Sequence, residues 1–171
     1  RAGEAGEEAA EELQGFLRFI QVDRLLSEQQ PLEGWQPAES LLLWELPQGN
    51  ALPLPVAPPA ELQLNKQPAM LPVSRLVFPD SEAEQEQFYS LACTAVAHGI
   101  GSCRVLMYHH TPVCTVGCYE QSDGEAYMAA GVTAPEWRGR GLAGWLIVQL
   151  ANELAAKRTV RFASAPALQP F

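Results

Sequence analysis

The hydrophobic pattern is most regular between residues 104 and 163. Val113 to Glu120 and Ala126 to Thr133 are rich in β-branched, aromatic and small apolar residues, with Ser122-Asp123-Gly124 between them. This pattern predicts an antiparallel hairpin. Pro135 has no amide hydrogen and biases Ala134 away from helical angles, so the second strand should end there. From Trp145 to Leu154 the apolar positions recur at helical spacing. A stretch containing Arg138, Gly139, Arg140, Gly141, Leu142, Ala143 and Gly144 leads into that helix.

The flanking segments are read in the same way. Residues 4 to 27 are rich in Glu and Ala, with Leu13, Phe16, Leu17 and Ile20 on one face, which predicts an amphipathic helix. Its glutamates Glu7, Glu8, Glu11 and Glu12 form a solvated face. In Glu39 to Leu46, periodicity does not separate a buried strand from a helical turn, and the run is read as a strand. Prolines at 47, 53, 55, 58 and 59 make the next stretch a linker or an extended edge. Met70 to Phe78 reads as a strand. Pro79-Asp80-Ser81 with Glu82, Glu84 and Glu86 then reads as a capped helix start. That helix runs through Ala95 and stops at Gly99 and Gly101. Arg104 to His109 and Thr159 to Ala163 complete the predicted strands. Residues 1–69 are therefore expected to hold a helix, a short apolar element and a proline-rich linker, and residues 70–171 a domain of their own.

Composition narrows the function classes. The chain has 171 residues, of which 47% are hydrophobic and 18% charged, as expected of a globular protein. No apolar run reaches the roughly 18 to 20 residues of a membrane span. Net charge is −9, with 15 acidic residues against 5 basic ones in residues 1–86. Such a front half repels nucleic acid and lipid headgroups, so neither is an expected partner. The basic residues that do concentrate are Arg138, Arg140, Lys157, Arg158 and Arg161. Cys93, Cys103, Cys114 and Cys118 show no paired metal-ligand spacing, so no metal is expected. Reduced thiols imply a cytoplasmic setting, with Cys114 and Cys118 read as small core residues. His109 and His110 precede a turn proline and are read as surface residues away from any groove.

The chemistry concentrates at the glycine-rich turn. Gly139, Gly141 and Gly144 let a backbone approach an anion closely, and the first amides and the dipole of the following helix favour negative charge. Arg138 and Arg140 would add mobile positive charge. The spacing Gly139-x-Gly141-x-x-Gly144 also fits a dinucleotide-binding fingerprint, but no acid follows Glu153 to hold a ribose and too little chain remains for further βα units. A phosphate-binding P-loop fails for want of Gly-Lys-Ser/Thr.

Arg138-x-x-Gly141-x-Ala143, with Pro135 three residues ahead of the arginine, resembles the turn of the GNAT superfamily of acyl-CoA-dependent N-acyltransferases. The resemblance covers about residues 70 to 171. It implies an α+β fold whose mixed, mainly antiparallel sheet is flanked by helices, here with an extra N-terminal helical and extended segment. It implies acetyl-CoA as acyl donor and an amine of a small molecule or protein as acceptor. The main chain of Gly131, Val132 and Thr133 would pair with the pantetheine arm, and Arg138, Gly139, Arg140, Gly141, Leu142, Ala143 and Gly144 would hold the pyrophosphate. A non-catalytic acyl-CoA-binding module with a sensory or regulatory role is the alternative, and a homodimer is compatible with either.

Direct acyl transfer needs a base for the amine and a donor for the departing thiolate. Glu120, Asp123 and Glu125 lie at the hairpin end, and Tyr127 could act through water at a position where some GNAT members carry glutamate. Glu120 is the favoured base. The general acid is expected on a helix beyond Phe171, which makes the domain incomplete at its C-terminus.

Overall fold

The computed structural model describes residues 2–19, 21, 25, 34–37 and 39–166. The chain divides into two compact units, Arg1–Leu41 and Leu42–Phe171. In the first, helix α1 spans Ala2–Phe19. It accounts for the first part of the helix expected over 4–27, but the expectation fails beyond it: Gln21 is a turn residue with φ 56° and Leu25 is not helical. Residues 20, 22–24, 26 and 27 lie outside the described residues, as does any acid beyond Phe171.

The second unit is built on one six-stranded sheet. Its strands are β1 (Leu42–Leu46), β2 (Gln63–Asn65), β3 (Ser102–Tyr108), β4 (Thr111–Gln121), β5 (Glu125–Thr133) and β6 (Thr159–Ser164). Their order in the sheet is β1-β6-β5-β4-β3-β2. Every neighbouring pair is antiparallel except β5 and β6, which run parallel. The expected mixed, mainly antiparallel sheet is therefore present. It takes in two strands from before residue 70, so the expected boundary at that position falls inside this unit. The proline-rich stretch between those two strands holds no helix or strand and is tied down. Asn152 accepts from the Leu52 amide and donates to its carbonyl, both at 2.8 Å, and the Gly49 amide reaches the Ala155 carbonyl at 2.7 Å.

One expectation needs correction. Met70–Val77 is a helix, α2, and not a strand. Its buried residues Met70, Val73 and Ser74 recur at helical spacing, and Pro72 stands in the first turn, where the amide it lacks has no helical partner to lose. The Ser74 hydroxyl donates to the Leu71 carbonyl at 2.9 Å, which suits the same geometry. The first strand on that side is instead β2, three residues with little hydrophobic pattern, created by pairing Gln63–Asn65 with Val105–Met107.

Helix α3 spans Glu82–Ala97, with the Ser81 side chain accepting from the Glu84 amide as predicted. Helix α4 spans Leu142–Ala155. Leu142, Leu146, Leu150 and Leu154 of α4 are buried with Leu106, Cys114, Val116, Cys118, Ala126, Met128 and Val160 on one face of the sheet. Met70, Val73, Ala92 and Ala95 of α2 and α3 pack with Cys103, Val105 and Tyr119 on the other. Helices thus cover both faces. Gly117 is needed where the Tyr119 ring folds back over β4, because a Cβ there would lie 2.4 Å from ring carbons.

Candidate functional site

Strand β5 changes character along its length. Glu125 to Met128 pair with Thr159 to Phe162 of β6, and the pairing stops there. Beyond it, Ala163 and Ser164 pair with Leu43 and Leu42 of β1. Among the described residues, 129–133 therefore have β4 on one edge and no strand on the other. A β-bulge marks the change: Thr115 pairs with Val132 and Gly117 with Ala129, so Ala130 and Gly131 together oppose Val116. Ala130 has φ 55°, a left-handed conformation uncommon for a side-chain-bearing residue. The strands separate here into a wedge lined on one side by main-chain donors and acceptors. An extended ligand can pair with such an edge.

The open end of the wedge leads to the glycine-rich turn. After a short 3-10 turn at Pro135–Trp137, Gly139 and Gly141 have φ of 73° and 71°. Glycine adopts these angles without a Cβ penalty. A Cβ built at Gly131, Gly139 or Gly141 would meet nothing within 4 Å, so all three border open space. Gly141 is the N-cap of α4, and the first turn has neither a side-chain cap nor an acidic residue. The positive end of the helix and its first amides are left for a ligand. Leu142 and Gly144 are buried, so they offer only main chain. These residues fit an extended donor ending in a pyrophosphate.

The two arginines are held, which corrects the expectation of mobile charge. Arg138 Nε donates to the Thr133 carbonyl at 3.0 Å, fixing the turn against the end of β5. Arg140 donates to the Glu136 carbonyl at 3.1 Å, and its guanidinium carbon lies 4.6 Å from the Trp137 ring centroid. The β3–β4 tip joins them. His109 and His110 both have positive φ, 43° and 69°, as in a two-residue hairpin turn. They are exposed as expected, but Tyr108 beside them lies 5.0 Å from Trp137, so the tip borders the turn and does not stand away from it.

At the closed end of the wedge the chemistry passes to side chains. A second bulge places Cys118 opposite Met128 and Glu120 opposite Tyr127, leaving Tyr119 as the extra residue. The register then carries a row across four strands: Glu120, Tyr127, Arg161 and Glu45. Because Ala126 and Met128 point into the α4 core, Tyr127 faces the other side of the sheet. Arg161 bridges Glu45 at 3.0 Å and Glu125 at 3.2 Å. Burial pushes the Tyr127 hydroxyl up, a hydrogen bond with the Ala163 main chain opposes this, and the Glu120 charge raises it further. Glu120 itself is exposed. In the sequence Arg161 stands out only as one of several clustered basic residues and Glu45 not at all, because their place beside Tyr127 depends on register alone.

Three of the four cysteines, Cys103, Cys114 and Cys118, are core residues. Cys114 and Cys118 are buried, and desolvation pushes the Cys114 thiol up to about 11 against the opposing effect of its hydrogen bond with Thr133. Such thiols are poor nucleophiles near neutral pH. Among the described residues no group of His, Cys, Asp and Glu could hold a metal ion, and no helix is long and apolar enough to cross a membrane.

No protein-family profile matches the sequence, and no curated protein matches it. Solved structures do. A predicted acetyltransferase from Clostridium acetobutylicum, solved with acetyl-CoA, is 14% identical over 64% of this chain and 84% of its own, with a TM-score of 0.50. A GCN5-related N-acetyltransferase from Kribbella flavida is 17% identical over 77% of this chain, with a TM-score of 0.48. This chain spans 52% of that protein's length. The sheet order, the parallel β5–β6 pair and the likeness to the Clostridium acetobutylicum structure together give this chain the GNAT fold.

Proposed function

We propose that the wedge between β5 and β6 binds an acyl-CoA thioester, acetyl-CoA in the first instance, and that the protein transfers the acyl group to an amine. The observation that carries this reading is continuity: a β5 edge with no strand partner among the described residues ends on an uncapped, glycine-lined helix N-terminus. The main chain of Gly131, Val132 and Thr133 would take the pantetheine arm, although the Thr133 carbonyl already accepts from Arg138. Arg138 through Gly144 would surround the pyrophosphate through main-chain amides, with Arg140 as the neighbouring positive charge. When bound, the thioester supplies an activated acyl carbon. The protein's own task is to orient it and to move protons.

Glu120 is the proposed base. It is exposed at the end of β4, opposite Tyr127. Asp123 and Glu125 lie in and beside the same hairpin turn, but Glu125 is engaged by Arg161. The acceptor would approach on the face of the sheet that carries Glu120 and Tyr127. The cytoplasm, where thiols stay reduced, is the proposed setting.

A panel of small amines and lysine peptides, assayed with acetyl-CoA by thiol release, tests the activity. Thiol release dependent on one amine class supports it. Acetyl-CoA binding without amine-dependent release from any acceptor would replace it with the sensory or regulatory alternative.

A further inference from the structure

The tip between β3 and β4 is built from residues that do not suit its backbone. His109 and His110 are its two central residues, with φ of 43° and 69°. A two-residue turn of this kind is commonly filled by Asn-Gly, and a bulkier side chain held at positive φ costs stability. Strain kept where a simpler sequence would relieve it points to a use for the side chains. Both histidines are exposed, and neither imidazole has a hydrogen-bond partner among the described residues. Tyr108 beside them is 36% exposed, and its ring lies 4.3 Å from the His109 ring and 5.0 Å from that of Trp137. Trp137 in turn carries the Arg140 guanidinium, 4.6 Å from its centroid. Rings and guanidinium thus form one continuous wall from the glycine-rich turn to the tip. The wall suits an anion. Among the described residues Arg140 has no carboxylate partner, since Glu136 accepts from it through the main-chain carbonyl. In a chain of net charge −9, no acid occurs between Glu86 and Glu120, so both strands of this hairpin are free of acids up to the far end of β4.

We propose that this wall receives the phosphate on the ribose of coenzyme A, and that the protein thereby selects donors that carry the nucleotide end. The inference rests on the reading of the cleft given above. With the pyrophosphate on the amides of the glycine-rich turn, the ribose and its phosphate continue outward from that turn, and the wall is what borders it on the side of the tip. A phosphate there accepts from the imidazole N–H groups of His109 and His110 and from the Tyr108 hydroxyl. An imidazole keeps at least one N–H donor in either charge state, so recognition does not depend on protonation. Arg140 adds attraction from across Trp137. The consequence is a choice of donor. A thioester on a bare phosphopantetheine arm, such as one attached to a carrier protein, has no ribose phosphate and is held only by the wedge and the turn. Free acyl-CoA gains the additional contacts, and the site favours it.

The test compares three ligands by calorimetry: coenzyme A, dephospho-coenzyme A, which lacks only the ribose phosphate, and phosphopantetheine. The proteins are the unaltered chain, the double variant His109→Asn/His110→Gly, and Tyr108→Phe. The double variant gives the turn residues that suit its backbone, so it removes both imidazoles while Tm should hold or rise. The unaltered protein should bind coenzyme A about tenfold more tightly than dephospho-coenzyme A at low salt, with the ratio shrinking as salt rises. In the double variant the ratio should fall to about one, while phosphopantetheine binds as it does to the unaltered protein. Tyr108→Phe, which keeps the ring packing, should lower the ratio several-fold. A ratio near one in the unaltered protein, or an undiminished ratio in the double variant, overturns the inference while leaving the cleft reading intact. Failure of the unaltered protein to bind coenzyme A at all overturns the cleft reading and the inference with it.

Discussion

The two halves of β5 differ in what they expose. From Glu125 to Met128 the strand is paired on both edges, and what it offers is side chains, set in a row by register with Glu120, Arg161 and Glu45. From Ala129 to Thr133 it is paired on one edge and bulged at Ala130, and what it offers is main chain. The bulge and the end of the β6 pairing coincide, so a single local irregularity marks the change from a strand paired on both edges to one paired on a single edge. In this account the second half grips the donor and the first half moves protons, and changes in the two halves should separate binding from turnover.

The largest effect should come from the gripping end. Gly141 has φ 71° and borders open space, so Gly141→Glu places both a strained side chain and a negative charge where phosphates would lie. Affinity for coenzyme A should fall more than about 10²-fold, a loss of about 2.7 kcal/mol. Far-ultraviolet dichroism should stay near normal. Unchanged affinity would remove the turn from the site.

Glu120→Gln should act on the other half alone. Acetyl transfer at saturating amine should drop about 10²-fold while calorimetric affinity for coenzyme A stays the same. A matched loss of binding would mean that the two halves do not divide the work in this way.

Arg140→Ala should give a smaller change. It removes a charge beside the turn and the contact over Trp137, the latter worth about 0.5–1 kcal/mol. A several-fold weaker affinity at low salt, fading as salt rises, is the expected result by titration.

The smallest effect lies away from β5, at the C-terminal part of α4. Burial alone would raise the Glu153 carboxyl, but Arg104 and Lys66, both bonded to it, hold it below the ordinary carboxylate range. Its stabilising contribution is therefore present above the unfolded value of about 4.3 and is lost as pH falls through the lower folded value. Glu153→Gln should flatten the decline of Tm between about pH 5 and about pH 3 by a small amount, since the group is partly exposed. Coenzyme A affinity at neutral pH should not change.

What was legible in the sequence was what is local. The hairpin, the helix that became α4 and the turn from Arg138 to Gly144 are specified by consecutive residues, so strand alternation, helical period and glycine spacing revealed them. Met70 to Phe78 misled because a short apolar run rich in Val and Leu satisfies either period, and helical packing of Val73 against the sheet decided it. β2 was invisible because Gln63–Asn65 is a strand only by virtue of its partner. The same limit hid the neighbours of Tyr127, since Arg161 and Glu45 reach it through pairings between distant parts of the chain. Main-chain binding surfaces leave a glycine signature in sequence, whereas cross-strand side-chain constellations leave almost none.

Amide hydrogen exchange with and without coenzyme A tests the central claim most directly, because it reads the main chain on which the proposed grip depends. Protection should rise at residues 131–133 and at 142–144, with little change at 125–128, where both edges are already paired. Binding of coenzyme A with no added protection at either segment, or with protection confined to some other surface, would contradict the account.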